Sequence, residues 1–199
     1  MISRTIVGLL TLSLLALGCC DSGFGQVPPT PAEYAGYTGL FAAAARNDTT
    51  RITKLIARGE YAGMRDAHGR TPLHVAAYKR RHDAMRVLSA ATGDPNVLDA
   101  DGYDIATIAA AAGDPETLRV ALAVGCSPRN VTGPDRSSAL IAAIAKGDGS
   151  RRYVATVKTL LAAGASVSFA NAAGATPLAL ARARGQREIV AILEKAGVH

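Results

Sequence analysis

The chain has 199 residues, of which 49% are apolar and only 5% aromatic, with no Trp and a formal charge of +6. So many small apolar side chains argue against a sandwich or barrel filled with large rings and favour short helices packed at close range. The basic excess is diffuse, with no run of Lys and Arg and no basic–aromatic stripe, so no nucleic-acid footprint is visible.

Met1 to Arg4 forms a short positive region, and Thr5 to Leu17 (TIVGLLTLSLLAL) is an apolar run of 13 residues. Spanning a bilayer core of ~30 Å takes roughly 20 residues, so this run is too short to cross one. It has the length of a secretory signal core. Ala16-Leu17-Gly18-Cys19-Cys20 follows, with a small residue directly before a Cys. This resembles the lipobox of bacterial lipoproteins, in which the Cys is acylated and becomes the new N-terminus. The resemblance implies a signal over residues 1–18 and lipidation at Cys19. Cys20, or ordinary signal cleavage before Val27, are the alternatives. The protein is then expected in a bacterial periplasm, held to a membrane by its lipid. Arg4 is the only charged side chain before Asp21, so signal removal leaves 21 basic against 16 acidic residues.

Residues 19–35 are predicted as a linker. Asp21 to Glu33 reads DSGFGQVPPTPAE, and Pro28-Pro29 with Pro31 favours an extended, semi-rigid spacer.

From residue 36 to 199 the chain repeats itself. Thr71-Pro72-Leu73-His74-Val75-Ala76-Ala77 is echoed 33 residues later by Asp104 to Ala110 and 33 residues earlier by Thr38 to Ala44. Further copies begin at Ser138 and Thr176. Nine residues after each start stands Asn47, Arg80, Gly113, Gly147 or Gly185. Large aliphatics follow (Leu55-Ile56, Leu122, Leu160-Leu161, Ile192-Leu193), and the units close on Gly59, Thr92, Gly125, Gly164 and Gly197. Each landmark has a physical job. Thr or Ser caps a helix, and Pro in the first turn loses no hydrogen bond. The Ala pair lets a neighbouring helix approach, the Gly nine residues on ends the first helix, and the aliphatics of a second helix fill the core. The Gly93-Asp94-Pro95-Asn96 stretch turns into a finger. One such unit cannot bury its apolar face alone, so units must stack.

The pattern resembles the ankyrin repeat over residues 36–199, carried most specifically by Thr71 to Ala77, Thr176 to Leu180 and Asp94-Pro95-Asn96. The resemblance implies an all-α solenoid of about five stacked helix-turn-helix units with short β-hairpin fingers. The first unit departs from the pattern at Gly39, and the third lacks Thr, Pro and Leu. The fourth carries five extra residues between Asp148 and Thr159, read as a longer loop or an early-starting second helix. The resemblance also implies a monomeric protein that binds another protein through its fingers and first helices. From the fingers come Tyr34, Tyr37, His68, Arg70, Asp101, Tyr103 and Asp135. From the exposed side of the first helices come Arg46, Tyr78, Lys79, Lys146 and Arg184. Arg70, Tyr78, Lys79 and Tyr103 are expected to make the main contact, with Tyr78 and Tyr103 largely exposed.

No catalytic motif, cofactor motif or metal-ligand spacing is present. His74 lies in the repeat signature, and the resemblance implies that it bonds Thr71 and neighbouring backbone. Asp99, Asp101 and Asp104 resemble the opening of a calcium loop, but its twelfth position is Ala110. The repeat register places Asp99 and Asp101 in a finger instead. Cys126, just after Gly125, is expected in a turn, partly buried. The alternative function is a redox-sensitive or stress-protective envelope factor acting through that thiol.

Overall fold

The computed structural model describes residues 26–197. The expected signal over 1–18 and the expected lipidation at Cys19 lie outside the described residues. After a short helix α1 (Pro31–Gly36), five helix pairs follow: α2 (Gly39–Arg46) with α3 (Thr49–Ala57), α4 (Pro72–Tyr78) with α5 (His82–Thr92), α6 (Ile105–Ala111) with α7 (Pro115–Ala123), α8 (Ala139–Lys146) with α9 (Arg151–Ala162), and α10 (Pro177–Ala183) with α11 (Arg187–Ala196). First helices stack on first helices and second on second, so the chain builds the all-α solenoid that the repeat predicts.

The starts are set by capping. Thr71 accepts from the backbone of His74, and the imidazole answers by accepting from the Thr71 N–H through Nδ1 at 3.2 Å. With Nδ1 an acceptor, Nε2 carries the proton and donates to the Tyr103 carbonyl of the next unit at 3.1 Å. Burial lowers the His74 pKa, which keeps this neutral form in place. Asp104 replaces the missing Thr of the third unit and caps α6 through the Thr107 N–H at 2.8 Å. In the first unit Thr38 makes no side-chain cap, and Glu60 accepts from the Leu40 N–H instead.

The core is built as its composition requires. Ala43, Ala76, Ala109, Ala110 and Ala143 let first helices touch, while Leu40, Leu73, Ile105, Leu118 and Leu140 fill the layers between them. Asn47, Arg80, Gly113 and Gly185 take the left-handed conformation at the helix end, as their shared register predicts. Gly147 does not: its φ is −72°. Here α9 starts early, at Arg151, which accommodates the extra residues of the fourth unit. The α8 carbonyls left open are taken by Gln186 of the fifth unit, whose Nε2 donates to Ile144 O at 3.0 Å and Gly147 O at 2.7 Å.

The fingers are mostly Asx turns. Asp66, Asp99 and Asn171 each accept two backbone N–H groups through Oδ1. Among the described residues a two-stranded ladder forms only in the fourth unit, between β1 (Val131–Thr132) and β2 (Ser137–Ser138). Single backbone bonds tie successive fingers: Ala100 to His68, Gly133 to Gly102 and Ala172 to Asp135.

Residues 31–36 correct the linker expectation. Thr30-Pro31-Ala32-Glu33 is a capping box, and it starts a helix where an extended spacer was predicted.

Candidate functional site

The candidate site lies where residues 26–37 meet the first helices and the first finger. Residues 26–37 lie along the second unit. The Arg70 guanidinium pairs with Glu33, donates to Val27 O at 3.1 Å and holds Asp66 Oδ2 at 2.7 Å. The Tyr37 hydroxyl donates to the same Asp66 oxygen at 2.7 Å, and its ring stacks on Phe41 with centroids 5.0 Å apart. At the other end of α4 the Lys79 ammonium sits 3.9 Å from the centre of the Tyr34 ring. Burial opposes the charge on Asp66, but the Tyr37 hydroxyl, Arg70 and two backbone N–H groups outweigh it and hold the carboxyl below its usual range. Glu33 is held at about 2, chiefly by the Thr30 backbone N–H and hydroxyl and then by Arg70.

Arg70 is therefore not offered to a partner. It is 1% exposed, because three groups of the chain itself, on Asp66, Glu33 and Val27, satisfy its guanidinium. Tyr103 is 0% exposed, which corrects the expectation of an accessible anchor. Its ring packs with Ile108, Ala111, Ile141 and Ala142 beneath the next finger. Both residues directly precede a unit start, and each is covered: Tyr103 by the Gly133 finger and Arg70 by residues 26–33. Tyr78 is half-buried against the same cluster, not largely exposed, and burial raises its hydroxyl pKa.

His68 and Asp101 are exposed at the first two finger tips, with His68 Nε2 3.4 Å from Glu33. Asp135 is half-buried and accepts from the Ser137 hydroxyl. Arg46, Lys146 and Arg184 are exposed at the ends of α2, α8 and α10. The structure thus gathers Tyr34, Tyr37, His68, Arg70 and Lys79 into one cluster with residues 26–37, and leaves Arg46, Asp135 and Arg184 in other units.

Beside that cluster runs a groove of about 330 Å³. Ala77, Ile108, Ala109, Ala111 and Ala112 give it an apolar floor, and Tyr78, Arg80, Asp114, Thr117 and Lys146, with Gln26 and Pro28 from the N-terminal segment, complete its lining. Sequence reasoning found Tyr78 and Lys146 but missed Gln26, Pro28 and Glu33. The Thr30-to-Glu33 box was the legible signal for these, since it marks a helix start inside the supposed spacer.

The remaining polar groups serve the scaffold. Cys126 is 4% exposed and donates to Pro95 O at 3.2 Å, and burial pushes its thiol pKa well up, away from a reactive thiolate. Asp99 is buried in its Asx turn, and burial raises its pKa. Among the described residues no group of three or more His, Cys, Asp or Glu could hold a metal ion, and no helix is long and apolar enough to cross a membrane.

The family model described as ankyrin repeats (three copies) matches residues 9–99 and 106–199. No curated protein matches the chain.

Proposed function

Because the chain belongs to the ankyrin-repeat family, we propose that it is a protein-binding module, exported and held to a membrane by an acylated Cys19, that takes its partner on the concave side of the second to fourth units. Ankyrin repeats mediate binding to other proteins. The observation that carries the location is the groove over α4, α6 and α8, an apolar floor set in a rigid, fully stacked part of the solenoid. Units with neighbours on both sides gain little order on binding, so little of the contact energy is lost to it. Placing a photo-crosslinking residue at Ala112 in the native cell should give a discrete adduct, whereas the same residue at Arg86, on α5, should give none. The reverse result would move the partner to the convex side.

Export and anchoring rest on the N-terminal sequence alone: a positive start, the apolar run Thr5 to Leu17, and Gly18-Cys19. Mass spectrometry of the membrane-fraction protein should find a chain that starts at Cys19 and carries acyl groups. A chain starting at Met1 or near Val27 would reject the anchor, as would a Cys19→Ser, Cys20→Ser double variant that still fractionates with membranes.

A further inference from the structure

Residues 26–37 look like a spacer in sequence but are folded onto the binding side, where Gln26 and Pro28 form one flank of the groove. We propose that this segment is a built-in part of the binding site, and that the groove takes one aliphatic side chain from a partner segment carrying carboxylates on both sides of it. This rests on the reading above that the concave side binds a protein.

Three observations point to that occupant. The floor is made of alanines and Ile108, so it offers apolar surface with no polar group to satisfy, in a volume suited to one or two side chains. The rim is cationic. Lys146 and Arg80 both line the groove and both side chains reach solvent, two cations against one carboxylate. Asp114 is the one carboxylate among the lining residues. It accepts from the Glu116 and Thr117 backbone and the Thr117 hydroxyl, and its charge and that of the Arg80 guanidinium offset each other, so with Lys146 the lining carries a net positive charge. Arg46 and Arg184 stand at the ends of two other first helices, α2 and α10. Finally, Gln26 Nε2 and the Tyr78 hydroxyl are buried lining groups with no hydrogen-bond partner among the described residues. Both can donate, and a buried donor without an acceptor is costly. A carboxylate or carbonyl oxygen entering from the groove would satisfy them, which a purely apolar or cationic occupant would not.

Arg70 gives the segment its position. By holding Glu33 and Val27 O it fixes the chain that leads directly to Gln26.

The test uses a blocked peptide with one central Leu flanked on both sides by Asp and Glu, titrated against the purified chain by NMR or fluorescence anisotropy. Binding should weaken at least ~10-fold when the peptide Leu becomes Ala, the effect expected for one buried aliphatic group. Ala112→Trp, which fills the groove from an exposed position, should weaken it as much. Lys146→Glu should weaken it several-fold, with the loss shrinking as salt rises. Gln26→Ala with Pro28→Gly should weaken it although every repeat is intact, and Arg86→Glu should not. Thermal melts of the same variants show that each is folded. Equal binding of a Lys-flanked peptide, or binding unmoved by both Ala112→Trp and Lys146→Glu, would overturn the proposal. Crosslinking from position 112 that persists while the peptide fails to bind would leave the binding-module reading standing and overturn only this assignment of the groove.

Discussion

Arg70 of the first finger and Glu33 of α1 are separated by 37 residues and form an ion pair that fastens the N-terminal segment to the repeat stack. Arg70 has no room to change partner, since its other nitrogens serve Asp66 and Val27 O. Arg70→Ala should therefore do two things. It should leave the half-buried Asp66 without its cation and lower stability by about 3 kcal/mol, read as a shift in the urea midpoint. It should also release residues 26–37, read as loss of amide protection there. Arg70→Lys should recover only part of either effect, because an ammonium cannot reproduce the planar fork.

The pH dependence of that contact has a definite sign. Glu33 is held at about 2, below the value of ~4.3 for a free Glu. A depressed folded-state pKa contributes stability that is full above the unfolded value and is lost as pH falls through the folded one. The larger part of the shift, from Thr30, belongs to the α1 capping box and the smaller part, from Arg70, to docking, so both α1 and the docking of residues 26–37 should be complete at pH 5 and weaken progressively toward pH 2. Hydrogen exchange measured across that window should show the segment opening before α6 and α8 do. In Glu33→Gln the pH-dependent part should be much reduced, and an unchanged profile in that variant would assign the transition to Asp66.

Gln186 should behave as a remote cap. Its amide closes the carbonyls of Ile144, in the last turn of α8, and of Gly147, the residue that ends the helix, and it is 5% exposed. Gln186→Ala leaves those buried acceptors open and should cost about 1–3 kcal/mol. Gln186→Glu should cost no less, because it removes the donor and brings a charge against two carbonyl oxygens. Chemical denaturation of both variants decides this.

Gly113 is constrained twice. Its φ is +61°, and a Cβ would lie 2.7 Å from the Tyr153 ring. That ring cannot retreat, because it is buried and its hydroxyl donates to Ala111 O at 3.1 Å. Gly113→Ala should destabilise by about 2 kcal/mol or more, while Gly185→Ala, with the same backbone angle and open space around it, should cost about 1 kcal/mol. A melting comparison of the two separates backbone strain from steric clash.

The repeat frame was legible because each landmark does a local job that leaves a residue signature: Thr71 and Asp104 as caps, Asn47 and Gly113 as left-handed ends, the alanines as close contacts. What remained illegible depends on the next unit or on the chain's own extension. Arg70 and Tyr103 occupy equivalent places directly before Thr71 and Asp104, and both were read as finger residues facing a partner. Whether such a residue faces solvent depends on what lies over it. For Tyr103 that is the Gly133 finger, and for Arg70 it is residues 26–33, which Pro28-Pro29 and Pro31 made look like a spacer. The fourth unit was open for the same reason. Its extra residues are harmless because Gln186, 42 positions after Ile144, closes what they leave unpaired.

Tyr103 provides the sharpest contrast between an anchor and a core residue. A binding anchor replaced by Ala loses affinity and keeps stability. Tyr103 has no exposed surface, and its ring fills the space between Ile108, Ile141 and the Gly133 backbone, where a Cβ on Gly133 would come within 2.5 Å of it. Tyr103→Ala should therefore open a cavity and cost about 3–5 kcal/mol, the range for removing a buried ring. The loss should be felt across the third and fourth units together, because the ring bridges them, and the Tyr103 carbonyl accepts a hydrogen bond from His74 Nε2 of the second unit. Tyr103→Phe keeps the ring and should retain most of the stability. Tyr78→Ala is expected to behave differently: the side chain is half-buried and borders the groove, so it should lower stability less and reduce peptide binding more. Measuring the urea midpoint and the peptide affinity for all three variants places each residue on one side or the other. A Tyr103→Ala protein with an unchanged midpoint would mean that the ring is not packed beneath the fourth finger.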